Sequence, residues 1–409
     1  MALVATTLAA ALALGATSCS GSPAPQPGPA PEQPPSQNAE PAPQPSSEQP
    51  NPEAAPPGAP TGGEPGSGGA PGGGSGSGDS CTARAAALPL RARLAQRLMV
   101  GIGPDQPGLA RQVVSKYGVG GIFLSGKPTA LLKSTALASM RAVATIPVAV
   151  AVDEEGGRVQ RINQIAGSMP SARQMAATKT PAQVKQIAFQ RGRQLRQLGI
   201  TVDFAPDADV SDEPAGGAIG DRSFSPDPAK VASYAAAFAA GLRQAGVLPV
   251  FKHFPGHGHG SGDSHDGSVT TPPLSAMKKN DLVPYRTILG TGREAVMIGH
   301  LKVPGLTGGL PASLSPPAYR LLRNQYGFAG VTITDDLGAM KAITNSYDLP
   351  HAALTAMRAG ADMALWTSSA NLAAVLTTLE SAVKSGQLTE ADVNASVGRI
   401  LAAKGACTG

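Results

Sequence analysis

From residue 82 to residue 406, short apolar runs alternate with longer amphipathic stretches. Eight runs read as strands: Leu98–Ile102, Gly120–Leu124, Pro147–Val152, Thr201–Phe204, Val247–Lys252, Ala295–Ile298, Gly330–Thr334 and Asp362–Trp366. Each is continuously apolar rather than alternating, the pattern of strands buried on both faces of a parallel sheet. The stretches between them carry apolar residues at helical spacing. Pro181–Leu198 is one, opened by Thr180 and Pro181 and closed by Gly199. Eight strands with helical crossovers predict an α/β fold, a single (β/α)8 barrel of TIM type, with its site at the C-terminal strand ends. No glycine fingerprint follows the first strand, so the barrel is preferred to an open doubly wound sheet.

The first eighty residues break this pattern. Met1–Thr17 is an apolar run, short for a membrane span and similar to the core of a secretory signal. It leads into Ala16-Thr17-Ser18-Cys19, which resembles a bacterial lipoprotein processing site and makes Cys19 the candidate lipidated residue. A plain secretory signal is the alternative. The next sixty residues are almost wholly Pro, Gly, Ala, Ser, Glu and Gln, and cannot offset the entropy of ordering. The organisation expected is a signal over 1–19, a disordered linker over 20–80 and the barrel over 81–409. Cys81 and Cys407 bracket that barrel, so in an oxidising compartment they are either a disulfide joining its ends or two free thiols. The formal charge of +5 is dispersed, without the basic block a nucleic-acid partner requires.

Polar residues gather where the strands end. Asp153-Glu154-Glu155-Gly156-Gly157-Arg158-Val159-Gln160-Arg161 follows the third strand, and Ala205-Pro206-Asp207-Ala208-Asp209 the fourth, with Asp221-Arg222 further along that loop. Lys252 and His253 follow the fifth, His300 the sixth and Asp335-Asp336 the seventh. Lys252–Asp266, KHFPGHGHGSGDSHD, holds four of the six histidines. Its histidine spacings match no common zinc arrangement and Lys252 opposes a cation, so no metal is expected. Ser264 and His265 are adjacent in sequence and no nucleophile elbow is present, which disfavours serine hydrolase chemistry. A retaining glycoside hydrolysis fits better. Asp335 at a strand end suits the nucleophile, and His265, tuned by Asp263 two residues earlier, suits the proton donor.

Lys252-His253-Phe254-Pro255-Gly256-His257-Gly258 followed by Asp263-Ser264-His265 closely resembles the signature of glycoside hydrolase family 3 β-N-acetylglucosaminidases, specifically the single-barrel bacterial group acting on peptidoglycan fragments. Asp153–Arg161 resembles that group's sugar-binding turn and Thr334-Asp335-Asp336-Leu337 its nucleophile motif. The resemblance implies Asp335 as nucleophile, His265 as acid/base with Asp263 as its partner, and Asp153, Arg161, Arg222, Lys252 and His253 as sugar ligands. Asp336 would be a supporting or helix-capping carboxylate. His259 is an extra histidine relative to the family pattern. The function implied is an exo-acting, exported and lipid-anchored β-N-acetylglucosaminidase, a monomer facing the cell wall. It would act on GlcNAc-containing muropeptides without cofactor or metal. A phosphorylase and a non-catalytic glycan-binding lipoprotein are the alternatives.

Overall fold

The computed structural model describes residues 76–407, so the candidate signal, Cys19 and nearly all of the 20–80 linker lie outside the described residues. Ten strands occur in chain order: β1 (Leu98–Ile102), β2 (Gly121–Leu124), β3 (Ala149–Val152), β4 (Val202–Asp203), β5 (Leu248–Phe254), β6 (Val269–Thr270), β7 (Ala295–Ile298), β8 (Leu301–Lys302), β9 (Val331–Asp336) and β10 (Met363–Trp366). Eight of them form a closed parallel barrel in the order β1-β2-β3-β4-β5-β7-β9-β10, and the pairing of Leu98 with Ala364 completes the ring. β6 and β8 pair separately as a small parallel ribbon.

The continuous apolar pattern follows from this closure. Alternate residues of each strand point into the barrel or outward under the helices. Met99, Ala149, Val202, Leu248, Val331 and Met363 fill the interior, and Val100, Ile122, Val150, Val296 and Ala364 pack outward. Phe123 and Phe204 stack with ring centroids 5.5 Å apart and close the interior beneath the C-terminal rim.

The crossover Pro181–Gln197 starts as its sequence predicts. The Thr180 hydroxyl accepts from the Gln183 amide, and the Gln183 side chain accepts from the Thr180 amide, a reciprocal capping box. Gly199 ends the turn with φ +83°.

Two predicted strand ends are corrected. β5 runs on past Lys252 to Phe254 and β9 to Asp336, so His253, Asp335 and Asp336 lie within strands rather than in the loops after them. Polar side chains occur there because a barrel strand's last residues leave the apolar interior and face the cavity at the rim. The β5–β7 register also shifts between Phe251 and Phe254, an irregularity that lets the adjacent Lys252 and His253 both face that cavity. A helix Gly76–Ala86 precedes the barrel. Cys81 on that helix and Cys407, just past the helix Glu390–Lys404, form a disulfide with Cα atoms 4.5 Å apart. No helix among the described residues is long and apolar enough to cross a membrane.

Candidate active site

A cavity of about 420 Å³ opens at the C-terminal ends of the strands, a volume typical of small-ligand pockets. Phe123, Phe204, Met297 and Leu365 form its apolar floor. Asp153, Arg161, Arg222, Lys252, His253, His265 and Asp335 stand on its walls. Asp263 is absent from the wall and acts on the cavity through His265, whose Nδ1 lies 2.7 Å from Asp263 Oδ1.

The third βα loop is shaped before it binds anything. Glu154 is fully buried, and its carboxylate accepts the backbone amides of Arg161 and Ile162 at 2.5 and 3.0 Å, drawing residues 154–162 into a tight turn. Gly156 has φ +98°, and a side chain there would run into the carbonyl oxygen of Pro170. This turn aims Asp153, Glu155 and Arg161 into the cavity.

A lattice of charge then joins the ends of three strands, β3, β4 and β5. Lys252 Nζ is 2.9 Å from Asp153 Oδ1 and 2.6 Å from Glu155 Oε1. Arg161 donates to the other oxygen of Asp153 at 3.1 Å. Arg222 meets both oxygens of Glu155 at 2.8 Å in a fork, and its Nη2 lies 3.6 Å from Asp207. His253 Nδ1 is 2.7 Å from Asp209 Oδ2, while Asp209 Oδ1 accepts the backbone amides of His253 and His257.

These contacts set the ionisation of the buried groups. Burial pushes the Glu155 carboxyl upward, but Arg222 and Lys252 outweigh it and hold Glu155 well below the usual carboxylate range. Burial likewise opposes charge on His253, and the Asp209 carboxylate beside it overcomes this and raises its pKa above the ordinary imidazole value. Asp335 is buried, which favours the neutral acid. The nearby His253 and His300, with the amide of Asp336 at 2.9 Å, reverse that and keep it below the ordinary value. Asp335 is therefore a desolvated, ionised carboxylate at the edge of an apolar floor, the condition of a usable nucleophile.

The histidine loop divides into a fixed root and an outer arm. His257 is buried against Asp209, and His259 Nδ1 lies 2.8 Å from the buried Asp281. Further out, the carbonyls of Ser264 and His265 accept the amides of Ala342 and Lys341, which seat the arm across the cavity from β5. The Ser264 hydroxyl contacts Met340 Sδ at 3.8 Å.

The sequence-derived set omits Glu155, Asp207, Asp209 and His300. Glu155 and Asp209 sit in the motifs after β3 and β4, so the strand-end position was the available signal. Asp336 takes the supporting one of its two expected roles: its carboxylate accepts from the Gly338 amide and the Thr367 hydroxyl, tying the β9 loop to the β10 loop. Among the described residues, Asp207, Asp209 and His253 group ligand-capable atoms within 4.8 Å of one another. The Arg222 guanidinium occupies the cation's role beside them, and Asp209 is fully engaged by hydrogen bonds, so the donor set does not fit a metal.

Residues 90–403 match the family described as glycosyl hydrolase family 3 N terminal domain. The chain is 50% identical over 327 residues to a beta-hexosaminidase, LpqI, of Mycobacterium tuberculosis, spanning 78% of this chain and 84% of that protein. A crystal structure of a glycosyl hydrolase of GH3 family member from Mycobacterium smegmatis superposes with a TM-score of 0.76 at 53% identity, covering 78% of this chain and 98% of that one. A glycoside hydrolase family 3 beta-N-acetylglucosaminidase from Paenibacillus sp. aligns with a TM-score of 0.73 at 32% identity, over 78% and 63% of the two chains.

Proposed function

The chain belongs to glycosyl hydrolase family 3, and from that premise we propose that it is a retaining β-hexosaminidase removing terminal N-acetylglucosamine from cell-wall fragments. The observation that carries this reading is the single cavity in which an ionised Asp335 and the Asp263-supported His265 line the walls together with the Asp153, Lys252 and Arg222 cluster.

Asp335 attacks the anomeric carbon from the face opposite the leaving group. The Nε2 proton of His265 passes to the glycosidic oxygen as the C–O bond breaks, and a glycosyl ester forms on Asp335. Neutral His265 then takes a proton from water as the water oxygen attacks the same carbon, breaking the ester and releasing the sugar with retained configuration. Asp263 Oδ1 accepts from Nδ1–H and so leaves Nε2 as the nitrogen that gives and then retrieves the mobile proton. Asp153, Arg161, Arg222, Lys252 and His253 bracket the sugar hydroxyls with charge-assisted hydrogen bonds. Cys19 carries a lipid that holds the enzyme on the outer face of the cell membrane.

The test uses chromogenic β-N-acetylglucosaminides with good and poor leaving groups, with and without inorganic phosphate. Asp335→Ala abolishes turnover of all of them. His265→Ala costs about 10²–10⁴-fold on poor leaving groups and far less on good ones. Equal losses on both would remove His265 from the acid role. Sugar 1-phosphate as the product would make the enzyme a phosphorylase, and no turnover at any pH would leave a glycan-binding protein. Fatty-acid labelling that is unchanged in Cys19→Ser would refute the anchor.

A further inference from the structure

At the opposite end of the barrel, a second cavity of about 240 Å³ lies between the N-terminal strand ends and the helix Glu390–Lys404. Its walls are apolar: Met99, Ala149, Leu248, Val331, Met363 and Ile400. Three cations, Arg196, Arg293 and Lys404, stand among its lining residues, which include no aspartate or glutamate. The acids near this end are already engaged. Glu294, next to Arg293, turns to Arg243 at 3.1 Å and to the amide of Gly290. Asp362 takes Arg323 and Arg399, each at 2.7 Å. Lys404 Nζ has only a neutral acceptor, Gln96 Oε1 at 2.8 Å. Burial with no opposing carboxylate lowers Lys404 to about 7.

Arg196 and Arg293 are exposed at the edge of this chamber and Lys404 is half-buried, so an apolar wall meets a cationic rim that carries no carboxylate, a combination complementary to one kind of molecule. A plain hydrocarbon gains nothing from the cationic rim, and inorganic phosphate leaves the apolar wall uncovered. We propose that this cavity is a binding site for a small aliphatic carboxylate of the fatty-acid class. The tail lies against Met99, Leu248, Met363 and Ile400, and the carboxylate meets Lys404, Arg293 and Arg196. The site is remote from the catalytic cavity, so its occupant stabilises the fold without entering the reaction.

The experiment measures thermal unfolding and calorimetric binding of the full chain with octanoate, octanol and inorganic phosphate as probes. Octanoate is expected to raise the midpoint in a concentration-dependent way, with octanol and phosphate without effect at equal concentration. The Lys404→Gln/Arg293→Gln double variant should weaken octanoate binding at least tenfold and leave glycoside turnover unchanged. Ala403→Phe fills the chamber without altering charge and should also abolish binding, which keeps the test decisive if the double variant folds poorly. Equal responses to octanol or phosphate, unchanged octanoate binding in both variants, or no octanoate binding to the parent protein would each overturn the proposal.

Discussion

At the residue scale, the site depends on which cation each carboxylate holds. Glu155 lies between Lys252 and Arg222; Glu155 and Lys252 are buried, and the Arg222 side chain is 16% exposed. Glu155→Gln leaves two cations short of a partner and is expected to cost about 3 kcal/mol of stability, read by urea unfolding, with a raised KM. The pH dependence follows from the depressed Glu155 pKa. Its contribution is fully present above the unfolded carboxylate value of about 4.3 and is lost as pH falls through the lower folded value. The stability gap between parent and variant should therefore be flat from pH 5 to pH 8 and close only in acid. His253 runs the other way. Its raised pKa makes the Asp209 pair fully stabilising below about 6.5 and progressively lost as pH rises through the folded value. Asp209→Asn should accordingly destabilise most at mildly acidic pH, in the same unfolding measurement.

At the element scale, the histidine loop owes its geometry to anchors outside itself. The His259–Asp281 pair pins the root of the loop on the chain that follows it, and the amides of Lys341 and Ala342 hold the tip. His259 is the extra histidine of the loop, and it points away from the reacting groups toward a buried acid. His259→Ala is expected to lower kcat about tenfold with little change in KM, because it misplaces His265 without touching the sugar-binding wall. A loss confined to KM would contradict that role. The capped helix Pro181–Gln197 shows the reverse situation, an element whose start is set locally. Thr180, Pro181 and Gln183 satisfy its first turn among themselves, which is why its N-terminus was readable from the chain alone.

At the scale of the whole molecule, the barrel's two ends and the two ends of the described residues are secured separately. Cys81 and Cys407 lie 326 residues apart in sequence and join the first described helix to the segment just past the last. Asp362 binds Arg323 and Arg399, and the Arg93 guanidinium reaches Glu390 and Asn394, so the last helix is also tied to the barrel's base by charge. Replacing both cysteines with serine should lower stability by about 2–5 kcal/mol and leave turnover intact, since the bridge lies far from the strand ends that bear the site. Equilibrium unfolding with and without reductant measures it. Treatment with a chelator should likewise leave activity unchanged, because the cationic partner of Asp207 and Glu155 is Arg222.

The sequence alone determined the eight strands, the parallel barrel and the rim on which chemistry would collect. Each of those depends on local information: continuous apolar runs, helix starts and stops, and motifs placed after strands. The linear chain could not determine which residues neutralise one another. Lys252 meets Asp153 across 99 residues and Arg222 meets Glu155 across 67, and such pairings exist only once ring closure brings separate strand ends together. The same closure decided that His253 and Asp335 belong to strands, since backbone pairing with a neighbour, rather than side-chain polarity, defines where a strand ends. It also made the chamber beneath the barrel, whose apolar walls come from six strands and whose lysine comes from the last helix. Composition reports how many charges the chain has. Only the packed structure decides which of them are left without an opposite.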